Sequence, residues 1–421
     1  MTPRRSALIL SLILRPFSIP LLAALHAKYG DVARLGPNSL SLANPEALKT
    51  IYGLNKGMIK SDFYVVQQAL MNGHSLASLF STTDEAFHAR FRRCVNAAFS
   101  MSALVQYEPF VDNTTRLFLS QTERLFADNS QGCDFPRWLQ FYAFDVIGEI
   151  TYGKRHGFIK KNEDIDGIVA YLSKLFCYVA PVSILHFPGV LPSSPPIVQI
   201  PWLDKLLLKN PVYLKLAQWG VIDATFHVAR FARARMNLTM AGSMAFAGSE
   251  TTAISPAAFA RDGGFSDPRT GLATWPEAQK LPYLDACVKE AFRMHPAAGL
   301  PLERIVPVQG IEIDGVFVLG GTIVGTSAWV IHHRPEIFGA DADVYRPERW
   351  LADETGARTR ESEEKRIKEM NGLMFQFGMR SRTCIGKNIS LLEIYKFVPS
   401  LLRRFEIEFK DPRVEWELIN A

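Results

Sequence analysis

The feature that most constrains this 421-residue chain is a short loop near its C-terminus, FGMRSRTCIG, from Phe377 to Gly386. It contains a single cysteine, Cys384, and an apolar helical pattern follows from Ile389 to Leu402. A sulfur atom at a helix N-terminus, with Arg382 two residues before it, lies where positive charge favours the thiolate. Because the thiolate is the form that binds metals, Cys384 is a candidate metal ligand. The loop alone also fits an ordinary buried cysteine.

The composition excludes several classes of protein. With 48% apolar and 21% charged residues, the chain is typical of a globular protein with a large core. The net charge of +5 is small, and no block of Lys and Arg alternates with aromatic residues, so we expect no nucleic-acid partner. The five cysteines are scattered and contain no C-x-x-C pair, which predicts neither a disulfide framework nor a zinc site.

Hydrophobic periodicity predicts one large domain, mainly α with a small β region. The helical stretches are Pro45–Tyr52, Asp84–Phe99, Ser102–Phe126, Phe135–Tyr152, Val212–Met236, Leu238–Ser255 and Leu281–His295. Strand patterns occur at Asp31–Ala43, around a Gly-Pro-Asn turn, and at Arg304–Thr326. The proline-rich segment Ala180–Pro201 is expected to be an irregular loop.

The N-terminal segment, residues 1–25, is apolar but interrupted. Its first apolar run, Ala7–Leu14, is followed by Arg15 and Pro16. A membrane-spanning helix needs about 20 predominantly apolar residues. We therefore expect an interfacial or frayed start, with a reduced anchor or an uncleaved signal as the alternatives, and place the large domain at residues 26–421.

The helical stretch after residue 238 contains the motif AGSETT, from Ala247 to Thr252. Gly, Ser and Thr lower helix propensity, so their clustering indicates close packing against another helix or against a flat ligand. The bland interpretation is an ordinary helix crossing. In the functional one, Glu250 and Thr251 supply a carboxyl and a hydroxyl that move protons.

Two further motifs place charges at defined spacings. Glu290 and Arg293 are three residues apart on one helix and therefore share a face. Most such pairs are weak surface contacts. Arg349, in the tetrapeptide PERW, offers a second cation. A carboxylate held between Arg293 and Arg349 would form a buried structural network that fixes the loop before Cys384.

Three other basic residues are candidates for binding anionic groups. His88 and Arg92, in HARFR, are i, i+4 neighbours on one helix face, and Arg304 ends the sequence LPLER. Each alone is more typical of a solvated charge. Arginine, however, suits bidentate contact with a carboxylate.

Taken in order over residues 247–386, the small-residue helix, E-x-x-R, P-E-R-W and the cysteine loop resemble the cytochrome P-450 superfamily. The stretches LPYLDACVKEAFRMHPAAGLPLERIVP and CIGKNISLLEIYKFVPSLLRRFE are similar to fungal members, the pisatin-demethylase-like group of secondary metabolism. The resemblance runs from about His26 to Phe409. It implies the cytochrome P-450 fold in a single large domain.

The same resemblance implies a cofactor and assigns residues to it. The cofactor is haem b, with the Cys384 thiolate as axial ligand of the iron. The residues implied in cofactor binding are Cys384, Arg382, Arg304, His88, Arg92, Ala247, Gly248 and Phe377. Glu250 and Thr251 would pass protons to bound oxygen, whereas Glu290, Arg293 and Arg349 form the structural network.

The implied activity is a haem-thiolate monooxygenase, inserting one oxygen atom of O2 into a C–H bond of an apolar secondary metabolite. Electrons would come from an external NADPH-dependent reductase, since the chain has no flavin or dinucleotide motif. The expected location is the cytoplasmic face of the endoplasmic reticulum membrane, with a possible membrane surface as partner.

Three departures from the family pattern keep alternatives open: Arg380, the segment 252–289, and an anchor helix and proline-rich hinge that are absent or reduced. Arg380 stands where members usually have Gly, and a non-Gly residue at positive φ costs roughly 1 kcal/mol or more. The segment 252–289 is short and broken by Pro and Gly. One alternative is therefore a shortened, non-catalytic relative with impaired haem binding. Another is a haem-thiolate protein that isomerises or dehydrates its substrate without external electrons.

Overall fold

The computed structural model describes residues 19–128, 132–183, 185–186, 197–198, 201–206, 208–235, 271–353 and 359–408. The predicted helix Leu238–Ser255 lies outside these residues. Ala247, Gly248, Glu250 and Thr251 therefore also lie outside them, as does most of the N-terminal segment 1–25.

Helices dominate the described residues. In chain order they are α1 (Ile19–Tyr29), α2 (Pro45–Ile51), α3 (Phe63–Val66), α4 (Glu85–Val95), α5 (Met101–Leu104), α6 (Glu108–Thr122), α7 (Phe135–Tyr152), α8 (Phe158–Lys161), α9 (Ile168–Ser183), α10 (Pro201–Leu206), α11 (Pro211–Gln218), α12 (His227–Arg235), α13 (Trp275–Ala278), α14 (Pro282–Met294), α15 (Ala328–His332), α16 (Pro335–Phe338), α17 (Arg360–Leu373) and α18 (Lys387–Leu402). Single 3-10 turns occur at Val105–Tyr107, Ile165–Gly167, Pro347–Trp350 and Arg380–Arg382, and a π turn at Glu123–Ala127. Across the part of the chain just defined, no helix combines the length and apolar character that crossing a bilayer requires.

Local signals set the bounds of the long helix α7. The Asp134 side chain accepts a hydrogen bond from the Arg137 backbone N–H, which satisfies one of the unpaired donors at a helix start. The helix ends at Gly153, whose φ of 68° is easily reached only without a Cβ. Because both ends carry such capping signals, the predicted bounds Phe135–Tyr152 agree with the observed helix α7 to the residue.

The strands are short: β1 (Val32–Gly36), β2 (Ser39–Leu42), β3 (Ile59–Lys60), β4 (Ala69–Met71), β5 (His74–Leu76), β6 (Leu185–His186), β7 (Ile197–Val198), β8 (Arg304–Ile305), β9 (Ile311–Ile313), β10 (Val316–Val318) and β11 (Ile323–Gly325). Five of them form a sheet in the order β1-β2-β11-β8-β3. Only β2 and β11 pair in parallel; the other neighbours in this sheet are antiparallel. In the β3–β8 pair, Lys60 lies opposite Arg304.

The main core lies between α6, α7, α14 and α18 and is rich in aromatic rings. The Phe397 ring lies 4.3 Å from that of Tyr142 and 5.0 Å from that of Phe118, both as centroid distances. Because α18 packs into this core, the cysteine loop directly before it is held on a rigid element. The predicted mainly α fold with a small β region is confirmed.

Two predictions for the middle of the chain are wrong. The pattern Val212–Met236 forms two helices, α11 and α12, because Gly220 (φ 75°) turns the chain between them. In that turn the Phe226 N–H donates to the Leu70 carbonyl at 2.8 Å, a distant contact that periodicity cannot reveal. The expected loop Ala180–Pro201 contains the end of α9 and the β6–β7 pair.

Candidate cofactor-binding site

The cysteine loop is a tight turn that ends at the start of α18. The Cys384 N–H donates to the Phe377 carbonyl at 2.7 Å, and the Gly378 N–H donates to the Phe375 carbonyl at 2.8 Å. Cys384 is exposed to solvent although protein surrounds it on most sides. The thiol can therefore be reached by a ligand from solvent.

The electrostatics of the thiol differ from the sequence-based expectation. Burial raises the pKa of Cys384 above its usual value and outweighs the backbone N–H groups of Gly386 and Lys387 and the Arg92 cation, which lower it. The nearby cation is thus Arg92, not Arg382 as predicted from sequence. A metal ion would reverse the balance, because a coordinating thiol is deprotonated outright.

Arg92 and Arg382 are held near the cysteine loop by different hydrogen-bond partners. Arg92 Nη1 donates to the Thr383 carbonyl at 2.6 Å. Arg382 Nη2 pairs with Glu85 Oε1 at 2.5 Å. Its Nε is buried and has no hydrogen-bond partner within the described ranges. This N–H therefore remains available to a ligand that can accept a hydrogen bond.

His88 and Arg304, the other two predicted cations, lie in the same region. His88 is buried, and burial, followed by the charges of Arg382, Arg92, Lys60 and Arg304, lowers its pKa to about 4. Arg304 is buried as well and donates to the Glu303 carbonyl at 2.7 Å. The sequence-predicted basic residues are therefore brought together.

Sequence reasoning missed Lys60, which the β3–β8 register places beside Arg304. Its ammonium donates to the Phe80 carbonyl and lies 4.0 Å from the centre of the Tyr64 ring. Burial, with the charges of Arg304 and Arg382, holds its pKa well below the usual value. Like charges on opposed residues are destabilising. A two-residue strand has too weak a pattern for this pairing to be predicted.

We define the cation cluster as Lys60, His88, Arg92, Arg304 and Arg382. The carboxylates around it offer little compensation. Glu85 pairs with Arg382 only at the exposed rim. Glu303 is buried with the Ser61 hydroxyl as its hydrogen-bond partner, and burial raises its pKa to about 7. Because His88, with a pKa of about 4, is neutral at neutral pH, the positive charge of the cluster comes mainly from Arg92, Arg304 and Arg382, and this charge favours an anionic ligand.

The described residues fit haem b. An open thiol would bind the iron. The cation cluster, with its unpaired Arg382 Nε, would bind the two propionate carboxylates. Phe377 packs beside the loop, its ring 5.0 Å from that of Phe292. The other side of the pocket, expected from Ala247 and Gly248, lies beyond the described residues.

The second feature near the loop is a fully buried network around Glu290. Its Oε1 accepts hydrogen bonds from Arg293 Nη2 at 2.8 Å and from Arg349 Nε at 2.9 Å. Its Oε2 accepts from Arg293 Nε and from Trp350 Nε1, both at 2.9 Å. The structure therefore brings Glu290, Arg293 and Arg349 together without solvent.

The two arginines also bind backbone carbonyls of the segment between α15 and the PERW turn. Arg293 Nη1 donates to the carbonyls of His332 at 2.8 Å and Ala342 at 2.6 Å. Arg349 Nη2 donates to those of Asp341 and Val344, both at 3.0 Å. The network thus ties α14 to the chain that leads toward the cysteine loop.

The comparisons with known proteins agree with this geometry. The sequence profile described as Cytochrome P-450 matches residues 10–199 and 268–419. The chain is 36% identical over 444 residues to the cytochrome P-450 monooxygenase cicH of Emericella nidulans, covering 94% of this chain and 84% of that protein. It is 32% identical over 430 residues to pisatin demethylase of Fusarium vanettenii, covering 93% and 79%.

A third relative, a cytochrome P-450 monooxygenase of Aspergillus terreus, is 36% identical over 445 residues, covering 91% of this chain and 84% of that protein. The chain belongs to the cytochrome P-450 family. The alignment with cicH is longer than the 421 residues of this chain, so the relative contains segments that this chain lacks. The family profile is also not matched between residues 199 and 268.

Proposed function

We propose that this protein is a haem-thiolate monooxygenase that inserts one oxygen atom of O2 into a C–H bond of an apolar secondary metabolite. Hydroxylation is the default reaction, with further oxidation possible. The observation that carries the proposal is the open Cys384 thiol beside a cation cluster that lacks counter-charges. Relatives named as monooxygenases, including pisatin demethylase, support it.

When bound, haem supplies oxygen activation and electron transfer. Cys384 holds the iron, and the N–H groups of Gly386 and Lys387 temper the charge on the sulfur. Arg92 adds positive charge and fixes the Thr383 carbonyl next to the ligand. These residues orient the thiolate without taking part in proton transfer.

The cation cluster would bind and orient the propionates of the haem. Glu250 and Thr251, in the same sequence motif as Ala247 and Gly248, are the proposed proton carriers. Electrons come from an external NADPH-dependent reductase. We further propose the cytoplasmic face of the endoplasmic reticulum membrane as the location.

The test is the carbon monoxide difference spectrum of the reduced protein, purified after expression with haem supply. We expect the red-shifted band of thiolate-ligated haem, and its loss in Cys384→Ser. Cys94→Ser is the matched control, since Cys94 is also exposed but lies on α4. A folded wild-type protein with no such band would overturn the proposal.

Two observations favour a second candidate, a non-catalytic relative with impaired haem binding. Arg380 adopts a φ of 56° directly in the cysteine loop. The chain also lacks segments that its relatives carry. A large gain in haem content on Arg380→Gly would favour this candidate. Equal haem content in both proteins would favour the monooxygenase.

A further inference from the structure

We infer that His332 is a positioning residue that holds the cysteine loop in the geometry needed for thiolate ligation, an inference that rests on the proposed function. His332 ends α15 and has no exposed surface. It lies between the Glu290 network and the start of the loop. His332 therefore connects the Glu290 network with the cysteine loop.

The imidazole is connected on both sides. Its Nδ1 lies 3.2 Å from the Arg293 carbonyl. Its Nε2 accepts a hydrogen bond from the Phe375 backbone N–H at 2.9 Å. Arg293 Nη1 in turn donates to the His332 carbonyl. His332 is thus linked twice to Arg293 and once to the segment that enters the cysteine loop.

These contacts define one tautomer. A backbone N–H can only donate, so Nε2 must carry the lone pair and Nδ1 the proton, which it donates to the Arg293 carbonyl. Both ring nitrogens are then satisfied and the ring is neutral. Burial lowers the pKa of His332 to about 3, which agrees with this state.

Phe375 is a fixed point where the chain enters the cysteine loop. Its ring is buried and lies 4.7 Å from that of Tyr52, and its carbonyl accepts from the Gly378 N–H. Two residues later the Phe377 carbonyl accepts from the Cys384 N–H. A shift of the Phe375 peptide would therefore move Phe377 and, through it, the sulfur.

Only an acceptor at the Nε2 position can hold the Phe375 N–H. Without it, a buried N–H is left unpaired, which is strongly unfavourable, and the loop would shift to find another acceptor. A glutamine amide oxygen can reach the position of Nε2. An asparagine is shorter and reaches only the position of Nδ1. The two amides therefore separate the acceptor function from size and polarity.

The experiment compares His332→Asn, His332→Gln and the matched control His333→Gln in the full chain. His333 is adjacent, stacks on Trp329 and donates to its carbonyl, without contacting the loop. The readouts are the thiolate-ligated fraction in the carbon monoxide spectrum and the haem reduction potential. We expect His332→Asn to lose at least half of the thiolate-ligated fraction and to shift the potential. His332→Gln and His333→Gln should keep the wild-type values.

A wild-type thiolate fraction and potential in His332→Asn would overturn the inference. If His332→Asn does not fold, the test rests on His332→Gln, which should keep the thiolate band. A folded His332→Gln protein that has lost this band would also overturn the inference. Hydrogen exchange of the peptide spanning 376–386, without haem, separates this inference from the proposed function. We expect exchange at least tenfold faster in His332→Asn only. This result stands even if the wild-type protein shows no haem band.

Discussion

The Glu290 network and the cation cluster are built from the same kinds of side chain but differ in how completely their charges are compensated. Glu290 is fully buried, and both of its oxygens accept hydrogen bonds. In the cation cluster, Arg382 Nε has no partner among the described residues. The first region is complete within the protein. The second keeps an unpaired donor and few opposing carboxylates among the described residues.

Two of the buried glutamates, Glu290 and Glu303, show the same contrast in their pKa values. Burial raises the pKa of Glu290, but hydrogen bonds from Arg293, the Arg346 N–H and Arg349 more than offset it, so the net shift is downward. Glu303 has only the Ser61 hydroxyl against the effect of burial, and its pKa rises to about 7. The charge states of Glu290 and Glu303 therefore depend on the hydrogen bonds that each carboxyl accepts, and not on how close a cation lies in the sequence.

The largest effect is expected from a substitution in the Glu290 network, where the charges are compensated. Glu290→Gln removes the buried carboxylate that Arg293 and Arg349 share. Of the carboxylates among the described residues, Arg349 then keeps only its 3.2 Å contact with Asp341. We therefore expect a loss of about 3–5 kcal/mol in the free energy of unfolding, measured in urea. The control is Glu336→Gln, which removes an exposed pair with Arg334 and is expected to change stability by less than about 1 kcal/mol. Equal unfolding midpoints for the two variants would contradict the contrast.

The next largest effect is expected at Glu303, whose carboxyl accepts a hydrogen bond from the Ser61 hydroxyl and not from an arginine. Folded Glu303 keeps its proton up to about pH 7, whereas the unfolded side chain loses it near 4.5. The unfolded state binds fewer protons in this window, so wild-type stability falls as pH rises through it. Glu303→Gln removes that loss and should be more stable than the wild type by about 2–3 kcal/mol above pH 7, but not below pH 4.5.

Thermal unfolding of both proteins from pH 4 to pH 9 measures this difference. Glu312→Gln on the exposed face of β9 serves as the control and should follow the wild-type curve. A constant offset between Glu303→Gln and the wild type at every pH would show that Glu303 is ionised in the folded protein.

A smaller effect is expected from removing one cluster cation. Arg382→Gln removes a positive charge that lowers the pKa values of His88 and Lys60 but also breaks the rim pair with Glu85, so the stability of the haem-free protein should change little. Haem retention should fall about tenfold, equivalent to about 1.4 kcal/mol. Transfer of haem to apomyoglobin measures it. The exposed Arg360→Gln is the control. Unchanged retention together with lower stability would make Arg382 a purely structural residue.

The smallest effect concerns Arg380. Six described non-Gly residues have positive φ, and all except Arg380 are Asn or Asp, which tolerate this conformation. Arg380→Gly should therefore stabilise the protein by about 1 kcal/mol. Asn162→Gly, at φ 54°, is the control and should gain less. A gain no greater than that of the control would indicate that the loop carries no strain at this position.

How far the sequence predicts this molecule depends on whether the signal is local. The bounds of α7 follow from Asp134 and Gly153, and the positive φ of Arg380 follows from its place in the motif. The approach of Glu290 to Arg293 follows from helix spacing.

The contacts that the sequence analysis missed join residues that lie far apart in the chain. Lys60 joins the cation cluster through a two-residue strand, and Arg92 rather than Arg382 faces the sulfur because of how α4 packs. The roles of all these residues toward haem stay predictions, and Glu250 and Thr251 lie outside the described residues.

The parallel pairing of β2 with β11 has a consequence for synthesis of the chain. Ser39–Leu42 emerges early from the ribosome, but its sheet neighbour Ile323–Gly325 comes from the last quarter of the chain. At about 5–20 residues per second, the N-terminal hairpin waits on the order of tens of seconds with an unpaired edge. During translation we expect that edge to be open to pairing with other chains, since an exposed strand edge readily accepts another strand.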